Sequence, residues 1–120
     1  TAVIEMAKRY GKAVMPAGFT PTEILNAWQA GADVVKVFPA GVGGPSYFKD
    51  ILGPLPQVKL MPTGGVDAKT TPEFIKNGAV AVGAGSAMID KAAVANKDWA
   101  SLTATAKSFV DAVAQARAGK

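Results

Sequence analysis

The sequence predicts an α/β protein in which short parallel strands alternate with helices that cover the sheet. Three observations carry that expectation. Segments with helical spacing of apolar residues each stop at a glycine and give way to a short apolar stretch. Those stretches begin roughly every 22 residues, the length of a minimal strand–loop–helix–loop unit with short connections. Each is followed by a Gly- or Pro-rich loop: "MPAG", "FPAGVGG", "PTGG" and "GAGS". Four such units in 120 residues make either half of an eight-stranded barrel, whose usual size is about 250 residues, or a four-stranded open sheet. Both arrangements put the four loops on one rim, where α/β proteins bind ligands.

The elements follow in order. "TAVIEMAKRY" reads as a helix stopped by Gly11, and "KAVMPAG" as a strand with its loop. "TPTEILNAWQA" opens with Thr20 as N-cap, Pro21 in the first turn and Glu23 three residues after the cap, a capping box. Ile24, Leu25 and Trp28 share one face of that helix, and Gly31 ends it. "GADVVKVFPA" is the second strand, "SYFKDIL" a short helix ended by "GPLPQ", and "VKLMPTGG" the third strand with its loop. "TTPEFIKNG" again places Thr, Pro and Glu at a helix start and Gly78 at its stop. "AVAVGAGS" reads as a fourth strand, and an amphipathic helix from Asp98 to Arg117 closes the chain.

At 49% hydrophobic and 18% charged residues, residues 1–120 read as a single globular domain. There is no cysteine, which excludes disulfides and thiolate chemistry and fits a cytoplasmic location. There is no histidine either, which removes Ser-His triads and most zinc sites. Acid–base work therefore falls to Asp, Glu, Lys, Tyr, Ser or Thr. No apolar run approaches the roughly 20 residues that span a membrane, and no signal peptide is visible. The net charge is +4, but the 13 cations are scattered singly among carboxylates, which argues against nucleic acid and for a small anionic ligand.

Lys36 stands inside the apolar run of "GADVVKVFPA". By alternation, Val34, Lys36 and Phe38 share one face of the strand, and Val35 and Val37 the other. One reading is a stem packed on apolar neighbours with the ammonium at the rim, or a charge guarding an edge. The other is a lysine inside a closed interior, where desolvation favours the neutral amine, a nucleophile that forms Schiff bases with ketones. In "PTGG", residues 62–65, and "GAGS", residues 83–86, the glycines let backbone N–H groups approach an anion. Thr63 and Ser86 add hydroxyls to them. On consecutive units this pairing points to a phosphate site. "GVGG", residues 41–44, does not make a dinucleotide fingerprint. Trp28 and Trp99 lie on apolar helix faces and read as core.

The string "VKVFPA", then "GGPSYFKDILGPLPQVKLMPTGGV", then "AVGAGSAMI", with "MPAGFTPTEI" ahead of them, resembles the 2-keto-3-deoxy-6-phosphogluconate (KDPG/KHG) aldolases through nearly the whole chain. The resemblance implies a (β/α)₈ TIM barrel, class I chemistry with neither metal nor cofactor, and a homotrimer. It makes Lys36 the Schiff-base lysine and Phe38 a wall of the pocket. Thr63, Gly64 and Gly65 would bind the substrate around its carboxylate and phosphate ends, with Gly85 and Ser86 on the phosphate. The partners implied are a phosphorylated 2-keto sugar acid and pyruvate. The resemblance covers only the last four βα units, and the family's general-base glutamate on the second strand has no counterpart here. Beginning at Thr1 without a methionine, the chain reads as a fragment, a truncated product or one half of a divided enzyme. The expected function is an aldolase needing the missing half; the alternative is a catalytically silent phosphate-binding half-barrel.

Overall fold

The computed structural model describes residues 1–119. Helix α1 (Ala2–Arg9) ends before Gly11, which takes a positive φ of 63°. Strand β1 is only Ala17–Gly18. The ladder is thus confined to the loop end of "KAVMPAG", although Val14 O and Pro16 O already accept from Asp33 N and Lys36 N. Helix α2 (Pro21–Gln29) carries the expected capping box: Thr20 accepts from Glu23 N, and the Glu23 carboxylate accepts from Thr20 N. Strand β2 (Val35–Val37), helix α3 (Ala40–Leu52), strand β3 (Leu60–Pro62) and helix α4 (Thr71–Lys76) follow. Helices α5 (Lys91–Ala95) and α6 (Trp99–Ala118) complete the chain.

The strands form one parallel sheet in the order β1-β2-β3. Ala17 stands in register with Lys36, and Lys36 with Met61. Strands β2 and β3 both alternate buried, half-buried, buried. Val35, Val37 and Leu60 are fully buried on the face that meets Ile24, Phe48, Ile51, Phe74 and Ile75 of the helices. The opposite face carries Ala17, Lys36 and Met61 and is the more open one. This is the alternation expected from the sequence, with the core between sheet and helices.

Four expectations need correction. "AVAVGAGS" is not a strand: it follows β3 through two hydrogen bonds, Val80 N to Leu60 O and Gly83 N to Pro62 O, and one isolated bridge, Thr63 to Gly83. One bridge and two hydrogen bonds make too short a pairing for a ladder. "GVGG" is not loop, because residues 40–43 form a first helical turn that Gly44, at φ 68° and ψ −177°, separates from the rest of α3. Helix α5, capped by Asp90, was not expected at all. Trp99 is not core: at the first turn of α6 it is 60% exposed.

Candidate active site

The loops after β1, β2, β3 and the segment 80–83 lie at the C-terminal ends of parallel neighbours, so they share one rim. A cavity of about 370 Å³ on that rim is lined by Phe38, Thr63, Gly64, Gly65, Gly85 and Ser86, among others. Six of the seven residues expected from the sequence are thus brought together. Lys36 does not line this cavity; its ammonium lies 5.5 Å from the centre of the Phe38 ring, which does. Among the described residues Lys36 makes no ion pair. Its cross-strand neighbours, Ala17 and Met61, carry no charge.

The backbone explains why glycines occupy the loop after β3. Gly64 and Gly65 have φ of 80° and 75°, a region that residues with a Cβ rarely adopt. A Cβ on Gly64 would also meet the Phe38 ring at 2.9 Å. The N–H groups of Ala40 and Gly41 donate to the carbonyls of Thr63 and Gly64, which fixes the loop against the first turn of α3. Among the described residues, the N–H groups of Gly65, Gly85 and Ser86 meet no backbone acceptor. They are donors open to an anion. The Thr63 hydroxyl is buried against Gly83 without a hydrogen-bond partner.

Asp67 also lines the cavity and was not singled out from the sequence. Its Oδ1 accepts from the N–H groups of Lys69 and Thr70, while the Thr70 hydroxyl accepts from Asp67 N. The Thr70 backbone bond, first of all, holds its carboxyl below the usual range. This reciprocal pair shapes the approach to α4, a task the sequence reading gave to Thr, Pro and Glu of "TTPE". The signal was present as Asp three residues before Thr70. Of the larger cavities, one of about 530 Å³ lies on α1, and two, of about 560 and 520 Å³, sit at the two edges of the sheet. The first of these two is lined by Val3, Ile4 and Met15, the second by Val82, Phe109 and Val113, and both lack the expected site residues. Among the described residues no group of carboxylates could hold a metal ion, and no helix is long and apolar enough to cross a membrane.

Parallel strands with a ligand-sized cavity beyond their C-terminal ends define an α/β protein of the class that binds substrates on that rim. A family model described as KDPG and KHG aldolase matches residues 1–105. The 2-dehydro-3-deoxy-phosphogluconate aldolase of Pseudomonas aeruginosa is 31% identical over 87% of this chain and 48% of its own length. The 2-dehydro-3-deoxy-6-phosphogalactonate aldolase of Escherichia coli is 36% identical over 70% of this chain and 42% of its own. A KDPG aldolase from Legionella pneumophila, solved with pyruvate captured as a covalent carbinolamine, superposes with a TM-score of 0.77 at 27% identity, covering 89% of this chain and 52% of that one. The chain belongs to the KDPG and KHG aldolase family, which is of the (β/α)₈ barrel type. It spans about half the length of the curated relatives it matches.

Proposed function

We propose that the protein carrying this chain is a class I aldolase that cleaves a 2-keto-3-deoxy-6-phospho sugar acid to pyruvate and glyceraldehyde 3-phosphate. This chain supplies the last four βα units of its barrel. The observation that carries the reading is Lys36, set between uncharged neighbours on the open face of the sheet and beside a cavity with glycine N–H donors. The names of the aldolase relatives, and pyruvate bound covalently in the Legionella enzyme, support the same chemistry.

In this reading the Lys36 amine attacks the keto carbon, and protonation with loss of water gives an iminium. A base takes the C4 hydroxyl proton, the C3–C4 bond breaks, and its electron pair moves into the iminium as an enamine. Protonation and hydrolysis release pyruvate and restore the lysine. Phe38 walls the pocket. Thr63, Gly64 and Gly65 bind around the carboxylate and phosphate ends, and Gly85 with Ser86 holds the phosphate. The carboxylates nearest the rim are engaged in caps: Glu23 on Phe19 and Thr20, Asp67 on Lys69 and Thr70. In this reading the base is supplied by the other half of the barrel.

Pyruvate followed by borohydride tests the reading. One covalent adduct on Lys36 supports it; phosphate binding without any capture would instead support a silent phosphate-binding half-barrel.

A further inference from the structure

The aldolase reading leaves "GVGG" and Tyr47 without a task, yet the structure gives each glycine a specific one. Gly41 packs against Gly65, where an added Cβ would lie 3.3 Å from its Cα. At Gly43 an added Cβ would come within 2.7 Å of the Tyr47 ring, so only glycine admits that ring where it sits. Gly44 supplies the turn at φ 68° between the first turn of α3 and the helix that carries Tyr47. Beyond that turn, the Tyr47 hydroxyl donates to Phe19 O at 2.8 Å, and the two rings pack at 5.2 Å. Burial raises the Tyr47 phenol above its ordinary range, so it stays a donor at neutral pH.

The acceptor lies in the loop after β1. Glu23 also grips that loop, accepting from Phe19 N and Thr20 N at 2.8 Å each. One residue earlier, Gly18 O accepts from Phe38 N at 3.3 Å. Helix α3 thus reaches to both sides of β2. Its first turn donates to the loop after β3, and Tyr47 donates to the loop after β1.

We propose that Tyr47 is a positioning residue: its bond to the Phe19 carbonyl fixes the loop after β1 and, through Gly18, the Phe38 backbone whose ring stands beside Lys36. This rests on the aldolase reading. Tyr47 touches no reacting atom in it. What it governs is how closely the Phe38 wall and the lysine keep their relative placement while the imine forms and breaks. Small misplacements of such groups are costly to rate.

The test is Tyr47→Phe in the intact protein that carries this chain, because it keeps the ring and removes only the donor. The kcat should fall about two- to tenfold, the factor equivalent to one neutral hydrogen bond, with KM nearly unchanged and the thermal midpoint lowered by a few degrees while the protein stays folded. Deuterium exchange at the Phe38 amide should rise in parallel. Incorporating 3-fluorotyrosine at position 47, which keeps the hydroxyl, should restore both. A folded Tyr47→Phe protein with unchanged kcat overturns the proposal, whether or not exchange at Phe38 moves. Failure of the unaltered protein to capture pyruvate overturns the aldolase reading and the catalytic purpose of this bond with it. The exchange readout then still decides whether Tyr47 holds the loop.

Discussion

The Lys36 ammonium and the Phe38 ring lie 5.5 Å apart, two residues from each other on the same face of the chain. At exposed sites such a contact is worth about 0.5–1 kcal/mol, enough to bias where the side chain rests but not to lock it. Lys36→Arg should keep a cation over the ring and a folded protein, yet lose all capture of pyruvate by borohydride, as should Lys36→Ala. Mass mapping of the adduct decides the assignment, and finding it on Lys49 or Lys59 would overturn it.

The proposed anion cradle can be probed where the fold is indifferent. Gly85 has ordinary φ, and a Cβ there meets nothing within 4 Å, so Gly85→Val should fold normally. Its side chain would nevertheless occupy the cavity that Gly85 lines. Affinity for the phosphorylated substrate should drop by at least about tenfold, the loss expected when one charge-assisted hydrogen bond of ~1.5–3 kcal/mol is blocked. Pyruvate capture should change little. Equal losses for both ligands would place the phosphate elsewhere.

Glu23 makes an acid-sensitive cap. Its carboxylate accepts backbone N–H bonds from Thr20 and Phe19, the Thr20 bond being the larger cause that holds its pKa below the ordinary value. A depressed folded pKa stabilises the protein above the unfolded value and loses that contribution as pH falls through the folded one. Thermal midpoints should therefore decline as pH falls through and below the normal glutamate range near ~4.3. Glu23→Gln should flatten part of that decline, leaving the shares of Asp33 and Asp67, which are lowered too. An identical acid profile for the variant would rule the cap out.

Taken alone, these 120 residues should turn substrate over poorly. β1 and the segment 80–83 each have a neighbour on one side only, and an apolar cavity opens at each edge. Such edges favour pairing or aggregation. In the proposed reading the base also lies outside these residues, and general-base catalysis typically contributes ~10²–10⁴-fold. Supplying the four preceding units of a relative should raise turnover by that order. Full-rate cleavage by a verified monomer of the chain would defeat the half-barrel assignment.

The parts legible in the sequence were those that local chemistry decides. Thr20, Pro21 and Glu23 announced α2, and the alternation around Lys36 gave the correct faces, because each depends on neighbours within a few residues. The parts that were not legible depend on distant partners. "AVAV" alternates like a strand, but its pairing with the end of β3 is limited to one bridge, Thr63 to Gly83. "GVGG" resembles a loop by composition, and only the contacts of Gly41 with Gly65 and of Gly43 with Tyr47 make it a helical turn. The site divided in the same way. Glycines that open a cavity were readable, whereas the role of Asp67 hinges on its bonds to Lys69 and Thr70.

Arg117, near the end of α6, donates to the carbonyl of Val80 at 2.7 Å, across 37 residues of chain. That bond ties Arg117, outside residues 1–105 that the family model matches, to Val80 inside them. Its consequence concerns the order of synthesis. The segment starting at Val80 leaves the ribosome well before the helix that covers it. At ~5–20 residues per second the delay is about 2–7 s. During that interval a nascent chain carries an apolar edge with no lid, and a ribosome that stalls before Arg117 leaves it bare.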